Sequence, residues 1–172
     1  MPELEASRAI LVDAFARVDE SVQQVCSGLT AAAATYQPQP QSNSIAWLLW
    51  HAARQQDVQV SHLAARSQVW PDWYERFDLP FGIEEMGYGQ SPEDAAKVRA
   101  GAELLAGYHA AVHQRTVDYL GTLTLAELER VIAPEWNPPV TVAVRLVSIV
   151  NDGTQHLGQA SYLRGVTDQL GL

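Results

Sequence analysis

Val147-Ser148-Ile149-Val150-Asn151-Asp152-Gly153-Thr154-Gln155-His156-Leu157-Gly158-Gln159-Ala160 sets a carboxylate and an imidazole four residues apart inside a helical pattern. That spacing stacks the two side chains on one face. The apolar line through Val142, Leu146, Ile149, Gly153, Ala160 and Leu163 follows the i, i+3, i+4, i+7 repeat of a buried stripe, and Asp152 and His156 fall on it. Two ionisable groups are therefore expected to point inward. A buried Asp is costly unless it is paired or bound to a metal. An Asp-x-x-x-His pair can clamp a divalent cation when a third ligand arrives from another element; the same pair can equally be a hydrogen-bonded ion pair without metal.

The search for that ligand leads back along the chain. Residues 3–27 carry Leu4, Ile10, Leu11, Ala14, Phe15, Val18, Val22 and Val25 at helical period, ending at Gly28. Thr35 to Asn43, with Pro38 and Pro40, reads as a connection, and Asn43 or Ser44 can cap a second helix over 44–66. Its buried line is Ile45, Leu48, Leu49, Ala52, Val58 and Leu63, with Trp47 and Trp50 beside it and His51 at its edge. His51 is the candidate third ligand. Residues 67–91 are rich in aromatics and chain breakers, a long crossover that is either functional or a cover for the bundle's flank. Ser91-Pro92-Glu93-Asp94 has the cap, proline and acids of a helix start, so a third helix is expected from there to about 120. Thr124-Leu125-Ala126-Glu127 opens a short helix in the manner of a capping box, and a fourth long helix runs from about 141 to 168.

Four long helices without a strand pattern of consequence predict an all-α fold, a four-helix bundle with long crossover connections over one domain, residues 1–172. The short link between the first two helices makes them antiparallel. A 47% hydrophobic, 18% charged composition is that of a globular chain, and a net charge of −9 excludes a polyanionic partner such as nucleic acid or an anionic membrane surface. The single cysteine, Cys26, rules out an internal disulfide and a Cys-x-x-Cys redox pair. No basic-then-apolar leader and no apolar run of roughly 20 residues is present. A cytoplasmic location is the expectation.

His51, Asp152 and His156 together make two imidazoles and one carboxylate, a set suited to Zn, Ni or Fe with positions left open. His109 and His113 form a rival i, i+4 pair with no acidic partner near in sequence, and His62, roughly 16 Å beyond His51 by helix rise, cannot share its metal. The segments Ser44-Ile45-Ala46-Trp47-Leu48-Leu49-Trp50-His51, Asp152-Gly153-Thr154-Gln155-His156-Leu157-Gly158-Gln159-Ala160 and Tyr162-Leu163-Arg164-Gly165 resemble the DinB-like superfamily, nearest to its mycothiol-dependent maleylpyruvate isomerase branch. The likeness covers most of the chain. It implies a bundle with crossover connections that holds a divalent metal, Zn or Ni foremost, on one histidine of the second long helix and a histidine or acid plus a histidine of the fourth. Carried over, the metal ligands are His51, Asp152 and His156, with Asp standing where His or Glu is more usual. The activity so implied is a metal-dependent S-transferase or isomerase using mycothiol or a related thiol such as bacillithiol on an electrophilic substrate. The alternatives are a metal-binding stress or interaction module without turnover, and a metal hydrolase. A homodimer is one assembly open to it. Arg164, eight residues beyond His156, is expected at the rim as a cofactor-binding or substrate-carboxylate residue, with residues 36–43 and 81–88 lining the cavity; its competing role is to neutralise a helix C-terminus.

Overall fold

The computed structural model describes residues 2–172 as an all-α bundle of four long helices, α1 (Pro2–Cys26), α3 (Ile45–Ala64), α6 (Ala102–Thr122) and α8 (Val142–Leu170). Short helices α2 (Ala31–Thr35), α4 (Tyr74–Phe77), α5 (Pro92–Ala95) and α7 (Leu125–Glu129) lie in the connections, as does an antiparallel strand pair, β1 (Val131–Ala133) with β2 (Val140–Thr141). Hydroxyl caps fix several starts: Ser44 accepts from Trp47 N–H, Thr124 from Glu127 N–H and Thr141 from Val144 N–H.

The long helices form a ring in which α1 packs on α6 and α8, and α3 on the same two. Side-chain contacts give their directions. Arg8 reaches the carbonyl of Leu123, so α6 opposes α1, while Val18 lies against Gly153, so α8 runs with α1. Gln56 bonds Thr116 and Gln59 bonds Arg145, so α3 runs with α6 and against α8. The expectation of antiparallel first and second long helices is met in direction, but the two lie across the diagonal. Gly153 packs against α1: an added Cβ would stand 3.4 Å from a Val18 methyl.

Helix three does not begin at Ser91. Ser91 caps only the single turn of α5, and the chain then extends so that Val98 and Ala100 enter the core at a two-residue period before Gly101 starts α6. Burial of alternate apolar residues overrides the helical propensity of this stretch. Two buried clusters fill the ring. The larger surrounds Leu48, Leu49, Trp50, Tyr108 and Ala160. The smaller, at the other end, joins Phe15, Leu63, Leu120, Leu146 and Ile149. Among the described residues, no helix is long and apolar enough to cross a membrane.

Candidate metal centre

α3 and α8 run antiparallel side by side, which sets the second turn of α3 against the middle of α8. His51, Asp152 and His156 meet there, offering one donor atom each, all within 4.8 Å of one another. The His51 and His156 rings are 4.9 Å apart, centre to centre, and His156 Nε2 is 3.7 Å from Asp152 Oδ1. Donors bound at 2.0–2.2 Å to one ion in a tetrahedral shell lie about 3.3–3.6 Å apart, so the widest pair here has to close by roughly an ångström while His156 and Asp152, at 3.7 Å, are already near that spacing.

The two helices expose their donors unequally. His51 is buried, His156 half-buried, and the Asp152 side chain 42% exposed. The expectation that Asp152 points into the core is therefore corrected: the Gly153 and Leu157 stripe faces α1, and Asp152 sits beside it on the solvent edge. Water solvates its charge, so no partner is required to offset burial.

His51 is held from behind. The carbonyl of Met86 accepts from its Nδ1–H at 2.5 Å, which leaves Nε2 unprotonated and available. Trp47 stacks flat on the ring, 4.6 Å away and 13° from parallel, and donates its own Nε1–H to Gln90. Gly87 lies at the ring's Nδ1 edge in a left-handed conformation, φ +90°, where a Cβ would stand 2.7 Å from His51 Nδ1. Burial holds the imidazole below its ordinary pKa, against the opposing pull of the Met86 bond. At neutral pH the ring is a neutral donor. His156 Nδ1 is buried with no hydrogen-bond partner, so this ring too has its polarity unspent.

The 82–90 loop is pinned in turn. Glu85 Oε1 accepts from Met86 N–H at 3.0 Å and Gly87 N–H at 2.8 Å, and the Glu85 carbonyl accepts from Arg54 Nε at 3.2 Å. Arg54 and Asp57 are buried together on α3, with Asp57 accepting from Val69 N–H, Trp70 N–H and Tyr108 O–H. One buried ion pair thus ties down the start and the end of the long connection. Burial and the Asp57 charge push the Tyr108 phenol far above its usual value, which keeps it a donor. The aromatics of the connection cover the flank: Trp70 packs on Trp50, Phe77 and Tyr108.

Arg54, Asp57, Glu85, Met86 and Gly87 were not singled out from the sequence. Trp47, Trp50, Arg54, Asp57 and Ser61 form a second i, i+3, i+4 line on α3 that carried the signal, because charged residues continue a line begun by tryptophans.

Arg164 is not brought to the three donors. Its Nη2 donates to the carbonyls of Ser27 (3.4 Å) and Gly28 (3.2 Å) at the end of α1 and pairs with Asp168, the helix-neutralising role. Pro38, Gln41, Ser42 and Asn43 do line a cavity of about 370 Å³ with Leu48, Gln159, Tyr162 and Leu163, starting one turn beyond His156. His109 has an acidic partner from α1, since its Nδ1–H donates to Asp19 at 2.9 Å. His109 and His113 do not join Asp19 as a three-donor cluster among the described residues.

A family model described as mycothiol-S-transferase matches residues 10–169. The chain belongs to that family. It is also similar to a solved structure titled "Crystal structure of the conserved protein of locus from Enterococcus faecalis", with 37% identity and a TM-score of 0.84 over 91% of this chain and 94% of that one. No curated protein matches the chain. These findings agree with a DinB-like bundle. In this family member the lone Cys26 is buried, and burial pushes its thiol up to about 11. It is not a thiolate at neutral pH, so Cys26 is not a ready nucleophile.

Proposed function

We propose that the chain is a metal-dependent S-transferase that joins a low-molecular-weight thiol of the mycothiol type to an electrophile. The observation that carries this reading is the donor set itself: two imidazoles and one carboxylate from facing helices, their donor atoms within 4.8 Å of one another, with Asp152 on the exposed edge. His51, Asp152 and His156 would hold a divalent ion, Zn or Ni in the first instance. Such an ion supplies Lewis acidity that lowers the pKa of a bound thiol or water to near neutrality.

The chain's own residues do the rest of the positioning. Met86 fixes the His51 tautomer, and Trp47 and Gly87 fix the ring's plane. Asp152, on the solvent edge, contributes the negative charge that offsets a dication. The thiol would lose its proton to solvent water, its sulfur would form the new C–S bond, and the electrophile's leaving group would depart as an anion with the bonding pair. The same site would serve a thiol-assisted isomerase of the maleylpyruvate kind, in which the sulfur adds and is later expelled.

The test is turnover with a defined pair. Protein loaded with Zn or Ni is mixed with mycothiol and monobromobimane, and thiol loss, bromide release and the fluorescent thioether are followed together. Metal-dependent formation of the thioether supports the proposal. Cleavage of an ester without thiol would instead indicate a hydrolase, and neither reaction, across mycothiol and bacillithiol, a binding module.

A further inference from the structure

At the opposite end of the α3–α8 pair, a cavity of about 330 Å³ opens between α3, β1 and α8, lined by Val58, Gln59, His62, Leu63, Ile132 and Arg145. Its volume lies at the lower end of the range for small-molecule pockets. Val58, Leu63 and Ile132 make an apolar wall. Arg145, half-buried, supplies the charge.

That guanidinium is held by a neutral partner rather than by a carboxylate. The chain carries 20 acids against 11 Lys and Arg. Arg8, Arg17, Arg54, Lys97, Arg130 and Arg164 each have a carboxylate within 4.0 Å. Arg145, like Arg66, Arg76, Arg99 and Arg115, has none among the described residues; its side chain lines this cavity. Its Nη1 donates to Gln59 Oε1 at 3.1 Å, and Gln59 is itself bonded to Gln55. The fork is oriented by neutral groups and keeps donors for a ligand, the pre-organised arrangement that favours a carboxylate. His62 adds a second polar group on the same rim.

We infer that this cavity binds a small carboxylate with an apolar tail, the head on Arg145 and the tail against Leu63 and Ile132. The cavity is separate from the metal centre. Arg145 is seven residues from Asp152 and His62 eleven from His51, roughly 10 and 16 Å along their helices. The inference therefore does not depend on the metal or on thiol transfer.

The probe is sodium hexanoate, titrated into the full-length protein and followed by amide chemical shifts, with hexanol and acetate as controls. Saturable shifts at Val58 to Leu63, Ile132 and Arg145 are expected, at least tenfold tighter for hexanoate than for either control. R145Q should weaken hexanoate tenfold or more, and R145K by an intermediate factor, while H156A leaves it unchanged. Hexanol binding as tightly as hexanoate, shifts centred elsewhere, or undiminished hexanoate affinity in folded R145Q and R145K would each overturn the inference. Inorganic phosphate matching hexanoate would also overturn it, since the tail would then contribute nothing.

Discussion

His51 Nδ1 and the carbonyl oxygen of Met86 lie 2.5 Å apart, although 35 residues separate them in the chain. An irregular loop thereby decides which nitrogen of a helical histidine is free. Such partners behind a metal-bound histidine typically change affinity by 10–100-fold when lost. Glu85→Ala removes the carboxylate that accepts from Met86 and Gly87 N–H, so it should weaken Zn binding about tenfold while leaving the three donors in place. Zn affinity by competition with a chromophoric chelator measures this, and an unchanged constant would show that the loop does not orient the ring.

Gly87→Ala acts on the same contact from the other side. The new methyl meets His51, Trp50 and Trp47 at 2.7–3.2 Å, and φ +90° is strained for any L side chain. A stability loss of about 1–3 kcal/mol is expected, together with weaker metal binding. Thermal denaturation of the metal-free protein separates the two effects. A variant as stable as wild type would mean that the loop moves away freely.

Asp57→Asn should be the most damaging single-atom-scale change in α3. It leaves the buried Arg54 guanidinium without its counter-charge and turns an amide toward Val69 N–H or Trp70 N–H. Breaking such a buried pair costs about 3 kcal/mol or more, a fall in Tm of roughly 6–12 °C for a chain of this size. A fall of under about 2 °C would remove this pair from the loop's support.

Asp19 gives a prediction with a pH sign. Its hydrogen bond from His109 holds the carboxyl below the usual carboxylate range, against some opposing burial. A depressed folded value means stability that is fully present above about pH 4 and lost as the pH falls through the lowered value. Asp19→Asn should therefore cost about 1–2 kcal/mol near pH 7, a gap that narrows below about pH 4. Urea denaturation at pH 7 and pH 3 reads it; a gap that widens in acid would contradict the sign.

The sequence carried the four long helices because each has a sustained 3.6-residue stripe; Ser44 announced the start of α3, and Thr124 that of the short α7. The three donors were legible for the same reason: two share a face of one helix and the third lies at the edge of another's apolar line. The start of α6 was not legible, because residues 95–101 have good helical propensity and only tertiary burial of Val98 and Ala100 extends them. Asp152 was placed too deep, since a stripe of six apolar positions does not reveal where its boundary falls against two neighbouring helices. Arg164 was two-valued in sequence: the same eight-residue offset that suits a pocket rim also reaches the carbonyls of Ser27 and Gly28. The Arg54–Glu85–Met86–His51 chain rests on backbone groups of a loop, which side-chain patterns do not encode.

The central claim is that His51, Asp152 and His156 hold one divalent ion, and elemental analysis of purified protein dialysed against Zn or Ni, beside His51→Ala and His156→Ala, tests it most directly. One ion per wild-type chain is expected, with loss in both variants. Free metal at about 100 times its Kd should also raise wild-type stability by about 2.7 kcal/mol, and the variants' not at all. Wild-type protein that retains no ion, or His156→Ala protein that retains a full equivalent with the same stabilisation, would contradict the claim.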